Sequence, residues 1–170
     1  VAHAQGGNAA MGVGPGQATI NYGEAKDFAA SVIGPIAPHD SVARFEGLGV
    51  NVIEAFGRFI SPTEVQAGDW VVTARRIVIA TGSGPFVPPI PGLNDLPHYT
   101  NETIFELRER PDHLLIIGGG PIGMEMAQAH RRLGSEVTVV EGQNVFAKDD
   151  PELSAILVQK LRDEGIEIVE

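Results

Sequence analysis

Six consecutive residues, Gly118-Gly119-Gly120-Pro121-Ile122-Gly123, restrict the possible folds of this chain more than any other stretch. They fit G-x-G-x-x-G and stand between an apolar run, Leu114-Leu115-Ile116-Ile117, and a helical pattern from Pro121 to Leu133 that Gly134 closes. The run reads as a strand buried on both faces. Gly118 lets the chain turn sharply out of that strand. Gly120 brings no side chain between the backbone and a pyrophosphate, and Gly123 lets the helix pack closely on the sheet. Pro121 suits the first helical turn, where its missing N–H costs nothing. The free N–H groups and positive dipole end of the helix then make an anion site from the whole loop, Gly119 and Ile122 included.

The pattern continues regularly. Glu136 to Val140 reads as the next strand, Pro151 to Glu164 as a helix ended by Gly165, and Ile166 to Val169 as a third strand. Strand, helix, strand, helix, strand with short joints implies a parallel sheet. Glu141 ends the second strand about 20 residues after the loop, where a carboxylate can accept hydrogen bonds from both ribose hydroxyls of NAD. It would repel the 2′-phosphate of NADP. The stretch Gly142-Gln143-Asn144-Val145-Phe146 offers no Arg and the first Lys is Lys148, so NAD is favoured over NADP. A glycine-rich turn without ligand and a merely solvated Glu141 are the plainer alternatives. Strand, loop, helix and acid in the correct order weigh against both. The same unit can also hold the adenosine of FAD, but that loop usually opens a chain, and here more than a hundred residues precede it.

Upstream the pattern is less regular. Residues 1–23 read as irregular or as a helix remnant without support, and 24–47 as two helical segments split by Pro35 and Pro38, the second capped near Asp40-Ser41. Val50, Val52, Phe56, Phe59 and Ile60 suggest a strand with Gly57 as a bulge or close-approach point. Turns at Ser61-Pro62 and Gly68-Asp69 lead to Trp70-Val71-Val72-Thr73, which predicts a three-stranded antiparallel meander. Ile77-Val78-Ile79-Ala80 reads as a strand buried on both faces, ending in Thr81-Gly82-Ser83-Gly84. Phe86-Val87-Pro88-Pro89-Ile90-Pro91-Gly92 fits an extended linker, which places a domain boundary at residue 92. Asn101-Glu102-Thr103 would cap a short helix through Arg108.

Charge and composition exclude several classes. The formal charge is −10, and the 12 Lys and Arg do not cluster, which argues against a nucleic-acid surface. No cysteine is present, so disulfides and cysteine-based zinc sites are excluded within this chain. No apolar run approaches the roughly 18 residues of a membrane span and no secretory signal is recognisable, so a cytoplasmic setting is expected. His3, His39, His98, His113 and His130 show no metal-ligand spacing, and each reads as a surface or turn residue. No metal site is expected.

The ordered set of motifs resembles the pyridine nucleotide–disulfide oxidoreductases, flavoenzymes related to dihydrolipoamide dehydrogenase and mercuric reductase. Ile77-Val78-Ile79-Ala80-Thr81-Gly82-Ser83 is similar to the family's second flavin motif, and Pro88-Pro89-Ile90-Pro91-Gly92 to the crossover after it. Asn101 to Leu107 resembles a bridging helix, Ile116 to Glu125 the NAD loop and Val137 to Glu141 the strand beyond. The resemblance covers about residues 42–170 and is weak over 1–41, where Ala2-His3-Ala4 resembles the tail of the helix that carries the redox cysteines.

The resemblance implies an α/β chain. Residues 1–92 would be part of an FAD-binding domain, with the antiparallel meander and one parallel strand, and 93–170 half of a Rossmann-type NAD(P)-binding domain. It implies that Ala80, Thr81 and Gly82 run along the flavin, that Phe56 and Gly57 touch the FAD adenine, and that Glu125 occupies the acidic position paired with a Lys beside the flavin. An ordinary helix-face carboxylate is the alternative for Glu125. The family's first FAD loop, redox cysteine pair, dimerisation domain and His–Glu acid/base pair have no counterpart here. Val1 is not Met and the last residues read as a strand, so the expectation is an inactive fragment of a longer, homodimeric FAD enzyme that takes hydride from NADH. A half sheet with an open edge is expected to self-associate. Two alternatives remain open: a flavoprotein reductase or oxidase without a disulfide, and a non-catalytic nucleotide-binding module.

Overall fold

The computed structural model describes residues 9–11, 14, 16 and 19–170. Ala2-His3-Ala4 lies outside them. The chain divides into two compact units, one of residues 29–90 and one of residues 1–28 with 91–170.

In the first of these, α1 (Tyr22–Ile36) ends and α2 (Val42–Gly47) follows. Here α1 differs from the sequence reading. It begins at Tyr22, two residues before the predicted helical segment, and carries Pro35 within its last turn. Proline has no N–H for an i→i−4 bond and its ring presses on the preceding turn, which agrees with the α-helix ending at Ile36, one residue later. Ser41 caps α2 as expected, its hydroxyl oxygen accepting the Arg44 N–H at 3.2 Å. The meander also forms: β1 (Gly57–Ser61), β2 (Glu64–Ala67) and β3 (Trp70–Thr73) pair antiparallel in that order. The register shifts between Phe59 and Ser61 rather than at Gly57, and residues 50–56 are not strand.

The run Ile77-Val78-Ile79-Ala80 forms no strand. Val78 is 88% exposed and Ile79 71%. Apolar, β-branched residues favour a sheet only when neighbouring strands exist to take their hydrogen bonds and cover their faces, and among the described residues none pairs with this run. Asn101-Glu102-Thr103 likewise yields one turn of 3-10 helix, Ile104–Glu106. The Thr103 hydroxyl accepts the Thr100 N–H instead of capping a helix.

The second unit holds a parallel sheet in the order β4 (His113–Ile117), β5 (Glu136–Val140), β6 (Glu167–Val169). Between them run α3 (Pro121–Arg132) and α4 (Pro151–Asp163). Asp150 caps α4 by accepting the Glu152 and Leu153 N–H groups. Gly134 and Gly165 take positive φ beyond the two helix ends, as the sequence predicts. Met124 and Ala127 of α3, Val137 and Val139 of β5, and Val158 and Leu161 of α4 make the buried core, with Leu114, Ile116 and Ile168 against it. Glu164 ties the helices together. Its carboxylate accepts both Arg132 and Gln128, and its carbonyl accepts Arg131. The Arg132 guanidinium holds the Glu164 carboxyl below the usual range.

β4 is an edge strand and is not buried on both faces. Leu115 and Ile117 are exposed while Leu114 and Ile116 are half-buried. Their open face continues through Val140 and Val169, which register with Ile117 across the sheet.

Candidate functional site

The glycine loop leaves β4 at Gly118, whose φ of 114° no ordinary L-residue adopts. The Gly118 N–H still donates to the Val140 carbonyl at 2.9 Å, so the turn begins from a fixed strand end. A Cβ on Gly123 would overlap the Gly118 carbonyl oxygen, a backbone atom that cannot move aside. This close approach of helix to loop is what the third glycine permits. Around Gly120 the opposite holds: no described residue lies within 4 Å of where its Cβ would be. Pro121 opens α3, and among the described residues no side chain caps the helix. The first-turn amides of Ile122 and Gly123 therefore lack the acceptor that a cap would give.

Glu141 closes the loop from the side. Its Oε2 accepts the Gly119 N–H at 2.8 Å and its Oε1 the Gln143 N–H at 3.0 Å. The Gly119 bond first, then the Gln143 bond, hold its carboxyl below the usual carboxylate range. The site thus combines a fixed carboxylate, an open backbone approach at Gly120 and an uncapped helix start. These features suit a nucleotide diphosphate with its ribose toward Glu141.

The other predicted residues fall elsewhere. Glu125 is on the exposed face of α3. Phe56, fully exposed, and Gly57, the first residue of β1, belong to the 29–90 unit, as do Ala80, Thr81 and Gly82. All three of the latter are exposed and outside regular structure. All five residues are exposed.

His130 is not a surface or turn residue. It is 3% exposed, its Nδ1 bonding to the Met126 carbonyl at 2.8 Å and its Nε2 facing the Tyr22 hydroxyl at 3.2 Å. It lies on the same helical face as Met124 and Ala127, and α1 covers it through Tyr22. Burial first, and Lys26 further, hold its pKa below the usual value, against the raising effect of the Met126 bond. Lys26 is buried as well, with Nζ donating to the Ile104 carbonyl at 2.8 Å and standing near the Tyr22 and Phe105 rings. The sequence reading also misses Val145, Phe146 and Glu170, which brace the loop. The apolar pair after Gly142-Gln143-Asn144 was their one local signal.

Among the described residues, no group of His, Asp and Glu could hold a metal ion and no helix is long and apolar enough to cross a membrane.

Residues 5–170 match the pyridine nucleotide-disulphide oxidoreductase family, and the chain belongs to that family. The match includes the N-terminal stretch where the motif resemblance is weak. The chain is 36% identical to a mercuric reductase of Bacillus cereus over 71% of its own length and 19% of the reductase. It is 35% identical to that of Acidithiobacillus ferrooxidans over 75% of its length and 25% of the reductase. It thus spans about a fifth to a quarter of these relatives. Among solved structures, the Cu(II) complex of the HOCl-induced flavoprotein disulfide reductase RclA of Escherichia coli aligns at 33% identity and a TM-score of 0.60, covering 70% of this chain and 28% of that one. LpdA of Mycobacterium tuberculosis shares the fold at a TM-score of 0.67 and 23% identity, over 94% of this chain and 36% of that one.

Proposed function

We propose that this chain supplies the nicotinamide-dinucleotide half-site of an FAD-dependent oxidoreductase that takes hydride from NADH and passes electrons through flavin to a disulfide or similar acceptor. The observation that carries the reading is the Glu141 carboxylate fixed beside a glycine loop whose Gly120 is open. In this reading the loop and the start of α3 hold the pyrophosphate, and Glu141 binds the ribose hydroxyls. Bound dinucleotide would supply the hydride, while the protein orients it. Residues 1–92 would belong to the flavin side of the parent protein and 93–170 to the nicotinamide side, with Glu125, Ala80, Thr81, Gly82, Phe56 and Gly57 completing a flavin site only in that parent. The chain by itself would not turn over.

NADH over NADPH follows from Glu141, because a 2′-phosphate there would meet a carboxylate. Titration of the chain with each nucleotide tests this. NADH should bind at least about tenfold more tightly, a difference of about 1.4 kcal/mol. Equal affinity, or tighter NADPH, would overturn the preference.

Self-association belongs to the same reading. The open β4–β5–β6 face carries Leu115, Ile117, Val140 and Val169 exposed to solvent, and a second copy of the chain would cover it. Sedimentation should show mass rising with concentration, and Ile117→Lys should suppress the rise. A concentration-independent monomer would overturn it.

A further inference from the structure

We infer that Val145 and Phe146 form a clamp that aims the nucleotide loop, with Val145 as its positioning residue; the inference rests on the nucleotide reading above. The middle residue of the glycine triplet is free in G-x-G-x-x-G, yet here it has no room for a side chain. A Cβ on Gly119 would overlap Val145 Cγ1 and stand 3.1 Å from Val145 Cβ and 3.2 Å from Glu141 Cβ. Val145 is buried and β-branched, so its methyl groups have little rotamer freedom with which to yield. Gly119 is therefore a glycine because of Val145 and not because of the phosphate.

The backbone of the clamp fixes the loop's direction. Phe146 donates its N–H to the Gly119 carbonyl at 3.0 Å. In a trans peptide the C=O and the following N–H point opposite ways. Holding the Gly119 carbonyl on Phe146 thus aims the Gly120 N–H away from the clamp, where no described residue lies within 4 Å of a Cβ on Gly120. Phe146 has a φ of 53° and is the one non-glycine residue with positive φ among the described residues. Its ring is buried, which holds it in that unfavourable conformation. Behind the clamp, Glu170 accepts the Val145 N–H at 2.9 Å with one oxygen and Arg162 of α4 at 3.3 Å with the other. The contacts run from α4 through Glu170 and Val145 to the loop.

The test is a double-mutant cycle on the full chain, read by NADH titration and by amide hydrogen exchange at residues 119 and 146. Gly119→Ala should weaken NADH binding by about tenfold or more and expose both amides, Val145→Ala should have a smaller effect, and the double variant should recover part of the loss, because it removes the overlapping Val145 Cγ1 but keeps the tight Val145 and Glu141 Cβ contacts. A double variant no better than Gly119→Ala would overturn the clamp, as would a Gly119→Ala chain that binds like the parent. Should Gly119→Ala fail to fold, recovery of fold and binding in the double variant supports the clamp and continued failure overturns it. If the parent chain keeps both amides protected but binds no NADH, the nucleotide reading falls and the positioning role falls with it. If it binds and all variants bind alike, only the clamp falls.

Discussion

Glu141 and Gly119 are joined across 22 residues of sequence by a 2.8 Å hydrogen bond from the glycine N–H to the carboxylate. The bond makes one unit of two features that the sequence presents separately, an acid at a strand end and a glycine-rich loop. It also gives the carboxylate a reason to stay ionised. The Gly119 and Gln143 amides favour the charged form, so the group is lowered from its ordinary value of 4.5. Because the folded value lies below the unfolded one, the contribution is present above the unfolded value and is lost as pH falls through the folded one. The Gly119 amide resonance should therefore titrate with a midpoint below 4.5, and Glu141→Gln should abolish that step. A midpoint at or above 4.5 would count against the bond.

Gly123→Ala should destabilise the chain by about 1–3 kcal/mol, since overpacking against backbone forces the loop or helix to shift. Denaturant unfolding measures it. No side-chain truncation should rescue this variant, because the Cβ meets the Gly118 carbonyl itself. In that respect it differs from Gly119→Ala.

Tyr22→Phe should cost about 1–3 kcal/mol, because it leaves the buried Nε2 of His130 without a partner. The Met126 carbonyl takes the Nδ1 proton, so neutral Nε2 is the acceptor of the tyrosine hydroxyl. Thermal unfolding of the two proteins at neutral pH provides the comparison, and an unchanged midpoint would refute it.

His130 also sets a pH dependence. Its pKa is lowered from 6.5, chiefly by burial, so the fold favours the neutral ring. The stability it contributes is complete above 6.5 and falls as pH drops through its lowered folded value. Unfolding midpoints should decline as pH falls below 6.5, and His130→Gln should flatten that decline. An equal decline in both proteins would assign it to other groups.

The local parts of the fold were legible and the distant ones were not. The loop, α3, β5 and α4 follow from glycines, caps and apolar spacing within a few residues, and so does the meander with its two turns. Ile77–Ala80 misled because an apolar run reports a preference for burial, whereas a strand needs partners that among the described residues it does not have. Leu114–Ile117 does form a strand but misled on burial: among the described residues no layer covers the sheet face that carries Leu115, Ile117, Val140 and Val169. The burial of His130 depends on Tyr22, 108 residues away. No spacing rule within α3 could report that contact. Within the site, Gly118 and Gly123 showed their conformational and steric reasons in the motif, while the reason for Gly119 lay in Val145, beyond it.

The most direct test of the central claim is to add NADH to the isotopically labelled chain and follow the backbone amides by NMR. The account predicts that Gly119, Gly120, Ile122 and Gly123 shift first and most, together with Gln143 beside Glu141. Absence of any shift at these amides, or shifts confined to residues outside the loop, would contradict it.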